Sequence, residues 1–154
     1  MNNRYFVIGG GPLQQDFVET VKQMGFETHV FDYNPDAPCA KIADVFHLTS
    51  IDAKEEILEV ALKLKPVAIQ TAATEMGNVT ACYVGEKMGL CTNSYKTALD
   101  TSDKSRMKKI LSENKIPSAK HLVVKNFREL ESSSFSYPIV VKPTDRSASR
   151  GVMK

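Results

Sequence analysis

Short apolar runs alternate with stretches of helical periodicity through the first two-thirds of this chain. That alternation is the pattern of βαβ units, and it restricts the fold to an α/β architecture built on a parallel sheet. The run RYFVI, Arg4–Ile8, reads as a first strand. After GGGP, residues Leu13, Phe17, Val21 and Met24 recur at helical spacing up to a stop at Gly25. Residues 28–32, THVFD, form the second strand and VFHL, Val45–Leu48, the third. Asp52 and Glu55 stand at the spacing of a capping box before a helix with Ile57, Val60, Ala61 and Leu64 on one face. PVAIQ, residues 66–70, is the fourth strand, and Gly77, Ala81, Val84 and Met88 mark a stripe of the helix after it. A Rossmann-like parallel sheet flanked by helices is therefore expected before Cys91.

The character then changes. Residues 93–120 are mostly helical, with a break near Asp100 to Ser102 where Thr101 or Ser102 can cap a second helix whose face is Met107, Ile110 and Leu111. KHLVV (120–124) and YPIVVK (137–142) read as two strands flanking a short helix, and Val152 and Met153 as the start of another strand pairing antiparallel with the second. The domain boundary is expected near residues 92–94, giving a first domain over 1–93 and a partial α+β subdomain over 94–154.

Composition excludes several classes of function. With 20 Lys+Arg against 18 Asp+Glu, the net charge of +2 gives no dense basic patch for nucleic acid or an anionic membrane. No apolar run approaches the roughly 20 residues that span a bilayer, and MNNRYFVIGGG lacks the parts of a signal peptide, so a cytoplasmic protein is expected. Cys39, Cys82 and Cys91 are odd in number and form no C-x-x-C pair, which argues for buried thiols rather than disulfides or zinc.

Two stretches carry chemistry. VIGGGP follows the first strand and opens a helix, where backbone N–H groups and the helix dipole favour negative charge. As a dinucleotide fingerprint it is defective: Gly9 and Gly11 supply G-x-G, but the third position is Gln14. Asp32 nevertheless sits where a ribose-binding acid would. The alternatives are a tight turn that needs glycine and a small-molecule anion site at Gly10 and Gly11. Thr71, Thr74 and Glu75 follow the fourth strand at the same carboxyl edge and could line the same crevice, although capping by Thr74 explains them equally well. His29, His47 and His121 are expected on separate strands without ligands beside them. Further on, Lys104 lies in the first turn of its helix, an unfavourable place for a cation unless it faces a phosphate. Lys142 ends an apolar run, and Ser147, Ser149, Arg150 and Gly151 after it can wrap an anion.

In order and separation these segments resemble the ATP-grasp superfamily, whose members include biotin carboxylase, the carbamoyl phosphate synthetase large subunit and glycinamide ribonucleotide synthetase. The resemblance rests on YFVIGGGP through EKMGLCTN, on DYNPDAPCAKIAD after the second strand, on Asp103-Lys104 in TSDKSRMKKILSENKIPSAKHLVV, and on YPIVVKPTDRSASRGVMK. The last loop has a single glycine where biotin carboxylase has a run. The resemblance implies an N-terminal part of an ATP-dependent ligase that activates a carboxylate or bicarbonate as an acyl phosphate for attack by an amine. It also implies that Lys104 and Lys142 contact ATP, and that Ser147, Ser149, Arg150 and Gly151 close over its phosphates. Gly10, Gly11, Pro12, Thr74 and Glu75 would face the acceptor substrate. Magnesium ligands are expected in a C-terminal half that this sequence does not include, and the uncovered edge of the second subdomain is expected to favour self-association. A stand-alone Rossmann-like nucleotide-binding module with a partner-binding arm is the alternative.

Overall fold

The computed structural model describes residues 3–131, 133–145 and 150–154. The chain divides into two compact units, Met1–Leu99 and Asp100–Lys154.

The first unit is built on four parallel strands, β1 (Arg4–Ile8), β2 (Glu27–Asp32), β3 (Val45–Leu48) and β4 (Ala68–Gln70), in the order β3-β2-β1-β4. Alternation along β1 sorts the core into two layers, because successive side chains leave a strand on opposite faces. Phe6 and Ile8 pack with Phe31, Ile69, and Ile57 and Ala61 of helix α2 (Lys54–Leu64), and with Ala81 and Val84 of helix α3 (Glu75–Met88). On the other face Tyr5 and Val7 meet Val30, Cys39, and Val18 and Val21 of helix α1 (Gln15–Gln23). Each fully buried aliphatic or aromatic side chain here contributes about 1.5–3 kcal/mol. The expected parallel sheet with helices on both faces is what forms.

Local expectations fared less evenly. The capping box at Asp52 and Glu55 does not form: a turn closed by Ala53 N–H to Ser50 O moves Asp52 ahead of α2, and the flanking residue Ala53 offers no side-chain cap. Glu55 instead accepts the Tyr83 hydroxyl at 2.8 Å.

The chain passes between units within α4 (Tyr95–Ser102). Helix α5 (Lys104–Glu113) is capped by Asp103, not by Thr101 or Ser102: α4 runs through Ser102, and the extended Asp103 accepts the N–H groups of Ser105 and Arg106 at 2.8 and 2.9 Å. A short helix α6 (Phe127–Glu131) follows as expected. The expected strands at 120–124 and 137–142 are not formed among the described residues. One antiparallel bridge, Val141 to Met153, carries two hydrogen bonds of 2.9 and 2.8 Å. The physical reason is a lack of partners, since an isolated pair of strands is marginal in water. Tyr137, Val140 and Met153 are accordingly exposed.

Candidate functional site

At the carboxyl edge of the sheet the chain leaves β1 through Gly9, whose φ of +98° only glycine adopts without strain. The main chain of this loop is largely engaged internally. Gly9 N–H donates to Phe31 O, Gly10 N–H donates to Asp32 Oδ2 at 2.8 Å, and Gly10 O accepts the N–H of Cys39 at 3.0 Å. Asp32 is 8% exposed, and its Oδ1 accepts the N–H of Asn34 at 2.9 Å. The carboxylate that could have bound a ribose is therefore the internal anion of the glycine turn. A pyrophosphate would have to displace it from Gly10.

Gln14 completes the exclusion of a dinucleotide. It is 6% exposed, and its Nε2 donates to the carbonyl of Ala72 across the crevice between β1 and β4. Its side chain lies against the turn: a Cβ placed on Gly11 would come 3.1 Å from Gln14 Oε1. The glutamine that spoils the fingerprint thus occupies the space a cofactor would need. Cys39 covers the loop from the other side, with its Sγ donating to Gly11 O at 3.7 Å. Burial and the nearby carboxylates of Asp32 and Glu19 push that thiol up to about 11, which leaves it inert at neutral pH.

Thr71 and Thr74 hold the neighbouring loop. The Thr71 hydroxyl donates to Ile8 O, and Thr74 caps α3 by accepting the N–H of Gly77 at 3.4 Å. Between them Ala73 has a φ of +55°, a strained conformation for a residue with a side chain. Glu75 is exposed in the first turn of α3, where its charge suits the positive end of the helix. Gly10, Gly11 and Pro12, which follow β1, and Thr74 and Glu75, which open α3 after the adjacent strand β4, thus lie beyond the carboxyl ends of neighbouring strands. Sequence reasoning missed the roles of Gln14 and Asp32 as internal partners.

In the second unit, Lys104 and Lys142 line one cavity of about 450 Å³. Its walls come from α5, from residues 119–124 and from 138–142. The N–H of Lys104 donates to Thr144 O at 2.9 Å, which ties the start of α5 to the segment beyond Lys142. Gly151 has a φ of +73°, and a Cβ there would meet Pro143 Cγ at 2.9 Å. Arg150 beside it is exposed, while Ser147 and Ser149 lie outside the described residues.

Two of the histidines also meet. His29 Nδ1 lies 2.9 Å from His47 Nε2, and His47 stacks on Phe31. Glu27 Oε1 stands 3.4 Å from His29 Nε2, close enough for charge attraction but without an aligned hydrogen bond. His121 is not on a strand. Among the described residues no group of three His, Cys, Asp or Glu side chains could hold a metal ion.

The four-stranded parallel sheet with its internally bonded glycine turn is the architecture of a pre-ATP-grasp domain. The chain belongs to the ribonucleotide synthetase preATP-grasp domain family, whose model matches residues 4–89. It is 26% identical over 151 residues to the formate-dependent phosphoribosylglycinamide formyltransferase of Prochlorococcus marinus (strain NATL2A), covering 96% of this chain and 39% of that protein. It is similar in structure to phosphoribosylglycinamide synthetase from Anaerococcus prevotii, with a TM-score of 0.75 and 26% identity over 94% of this chain and 38% of the other. The N5-carboxyaminoimidazole synthetase of Staphylococcus aureus complexed with ADP shares the fold, with a TM-score of 0.78 and 20% identity over 99% of this chain and 41% of that one. The chain thus spans about 39% of the length of the curated relatives it matches.

Proposed function

We propose that this chain supplies the acceptor-binding domain and the first nucleotide contacts of an ATP-dependent, cytoplasmic ligase. The reaction is the activation of a small carboxylate or bicarbonate as an acyl phosphate, which an amine then attacks. Phosphoryl transfer depends on positioning and charge neutralisation, and two lysines lining one cavity are suited to that task. The placement of Lys104 and Lys142 on the same cavity is the observation that carries the reading. Lys104 and Lys142 hold the nucleotide's phosphates or its adenine N7, and Arg150 and Gly151, with Ser147 and Ser149, belong to the loop that closes over it. Residues 1–93 form the acceptor domain, in which Gly10, Gly11 and Pro12 make a backbone floor and Thr74 and Glu75 meet the acceptor's polar groups. Because the Gly10 N–H already serves Asp32, recognition there is by shape and by Glu75 rather than by an anion cradle. Residues 94–154 carry the nucleotide contacts.

Calorimetric titration with ATP tests this directly. The expected result is weak binding, with Kd above about 10 μM, or less than about 7 kcal/mol. Lys104→Ala and Lys142→Ala should each weaken it about tenfold, equivalent to about 1.4 kcal/mol. Binding unchanged in both variants sinks the assignment. ATP binding that depends on Gly10 or Gly11 instead of the lysines would favour a nucleotide-binding module based on the first unit.

A further inference from the structure

His29 and His47 meet at the margin of the sheet, because β3 is its outermost strand and is hydrogen-bonded to β2. His29 is 3% exposed, its ring lies 5.3 Å from that of Phe6, and the His47 ring stacks on Phe31 at 4.3 Å. One ring nitrogen of each faces the other at 2.9 Å, so a single proton lies between them. Which histidine owns it follows from Glu27. The Glu27 carboxylate stands 3.4 Å from His29 Nε2, and an N–H there is attracted to it where a lone pair would be repelled. His29 therefore carries its proton on Nε2, and His47 Nε2–H donates to His29 Nδ1. The remaining basic lone pair of the couple is on His47 Nδ1.

A first proton is taken up at His47 Nδ1 without disturbing that bond. A second has no place except His29 Nδ1, which is already the acceptor, so it must break the bond and set two like charges against each other between adjacent strands. The carboxylates nearby are already engaged. Glu27 Oε2 pairs with Arg4 of β1 at 3.4 Å, and Asp44, ahead of β3, is held by Lys22 at 2.9 Å and by the Thr28 N–H at 2.8 Å. Helix α2 brings the apolar Ile57 and Ala61 against Phe6 and Phe31 on the same face. Burial chiefly lowers the pKa of both histidines, and His29 adds to the effect at His47. The strand with least to hold it is β3, four residues long with none fully buried. Its end bears on the glycine turn: Leu48 is the ladder partner of Asp32, and the Thr49 N–H donates to Asp32 O at 3.0 Å, while the Asp32 carboxylate holds the Gly10 N–H. We propose that the His29–His47 pair is an acid-operated latch, which keeps β3 on the sheet while it carries at most one proton and, on taking a second, releases β3 together with the hold of Asp32 on the glycine turn. The latch lies within the first unit and stands whether or not Lys104 and Lys142 hold ATP.

Nuclear magnetic resonance on the full chain tests each part. At neutral pH the imidazole nitrogen shifts should report His29 and His47 both protonated on Nε2 and bare on Nδ1. Amide hydrogen exchange, corrected for the intrinsic rate, should show β3 and Thr49 opening at least about a hundredfold more at pH about 4.5 than at pH about 7, which is about tenfold per unit below about 6.5 for one refused proton. Gly10 should follow Thr49. The β1 amides should stay about a hundredfold better protected than those of β3, the mark of local release rather than unfolding. His47→Gln replaces the second imidazole with a carboxamide that donates to His29 Nδ1 or turns over to accept from it, so the acid gain should shrink at least about tenfold. His29 protonated on Nδ1 at neutral pH, an opening of β3 that ignores pH, or equal loss of protection in β1 and β3 overturns the proposal. So does a Gly10 amide that stays closed while Thr49 opens, or an undiminished acid response in folded His47→Gln. Should that variant not fold, the nitrogen shifts and the exchange of the parent chain decide alone.

Discussion

The carboxylate of Asp32 sits against the backbone of Gly10, 2.8 Å from its N–H, so the end of β2 and the turn after β1 close on each other without a ligand. Asp32→Ala removes the acceptor of both Gly10 and Asn34, leaving at least one buried donor unmet. The expected loss is about 1–3 kcal/mol, read as a lower urea midpoint with an unchanged slope. The same geometry predicts no heat of binding on titration with NAD or NADH in the parent chain. Saturable binding of either would show that Asp32 and Gln14 can vacate the crevice.

Gly85 on α3 packs directly under Thr92. A Cβ added there would lie 2.3 Å from Thr92 Cγ2 and 2.8 Å from its Oγ1. Overpacking of this kind costs about 1–3 kcal/mol. Gly85→Ala should therefore destabilise the chain despite the better helix propensity of alanine. The double variant with Thr92→Ala should recover most of the loss, giving a coupling of about 0.5–3 kcal/mol in a denaturation cycle. Additive effects would place the contact elsewhere.

Acid should act in two steps. Burial lowers the pKa of His29, against the opposing attraction of Glu27, and burial and then His29 lower that of His47. The folded chain thus takes up protons at these sites later than the unfolded chain does. Stability is unaffected above the ordinary histidine value of about 6.5 and declines as pH falls from there toward the lowered folded values. Asp44 behaves in the opposite sense. Burial disfavours its charge, but the N–H and hydroxyl of Thr28 and the ammonium of Lys22 outweigh that and bring it to about 2, from 3.8. Its contribution is present above 3.8 and is lost as pH falls through about 2. Thermal melts across pH should show both declines, and His47→Gln should shrink only the upper one.

Asp103 caps α5 through two main-chain donors. Asp103→Ala should cost about 1 kcal/mol and reduce helical ellipticity, whereas Asp103→Ser should retain most of both. Equal losses in the two variants would mean that the aspartate matters for something other than capping.

The sheet was legible because its signals are local and redundant. Phe6 and Ile8 against Tyr5 and Val7 write two buried faces into one short run, and the helices between strands repeat at their own period. The site was less legible because its key relations are non-local. Nothing near Gln14 in the sequence points to Ala72, and nothing near Asp32 says that Gly10 will satisfy it. The second unit failed as a strand prediction for a related reason. The runs at 120–124 and 137–142 have the apolar character of strands, but character alone does not make a ladder without neighbours to complete it.

The strand order also bears on how the molecule reaches this state. Tyr5 pairs with Thr28 on one side and with Ala68 on the other, so β1 meets a neighbour close in the chain and another far along it. Closing the longer loop carries the larger entropic cost, and pairings of that kind set the pace of folding. The β1–β2–β3 half can assemble while β4 is still searching. Docking of β4 then seats Thr71 on Ile8 and brings α3 over the core. The crevice is therefore among the last features to form, and a chain caught short of it would hold most of its sheet with no competent edge.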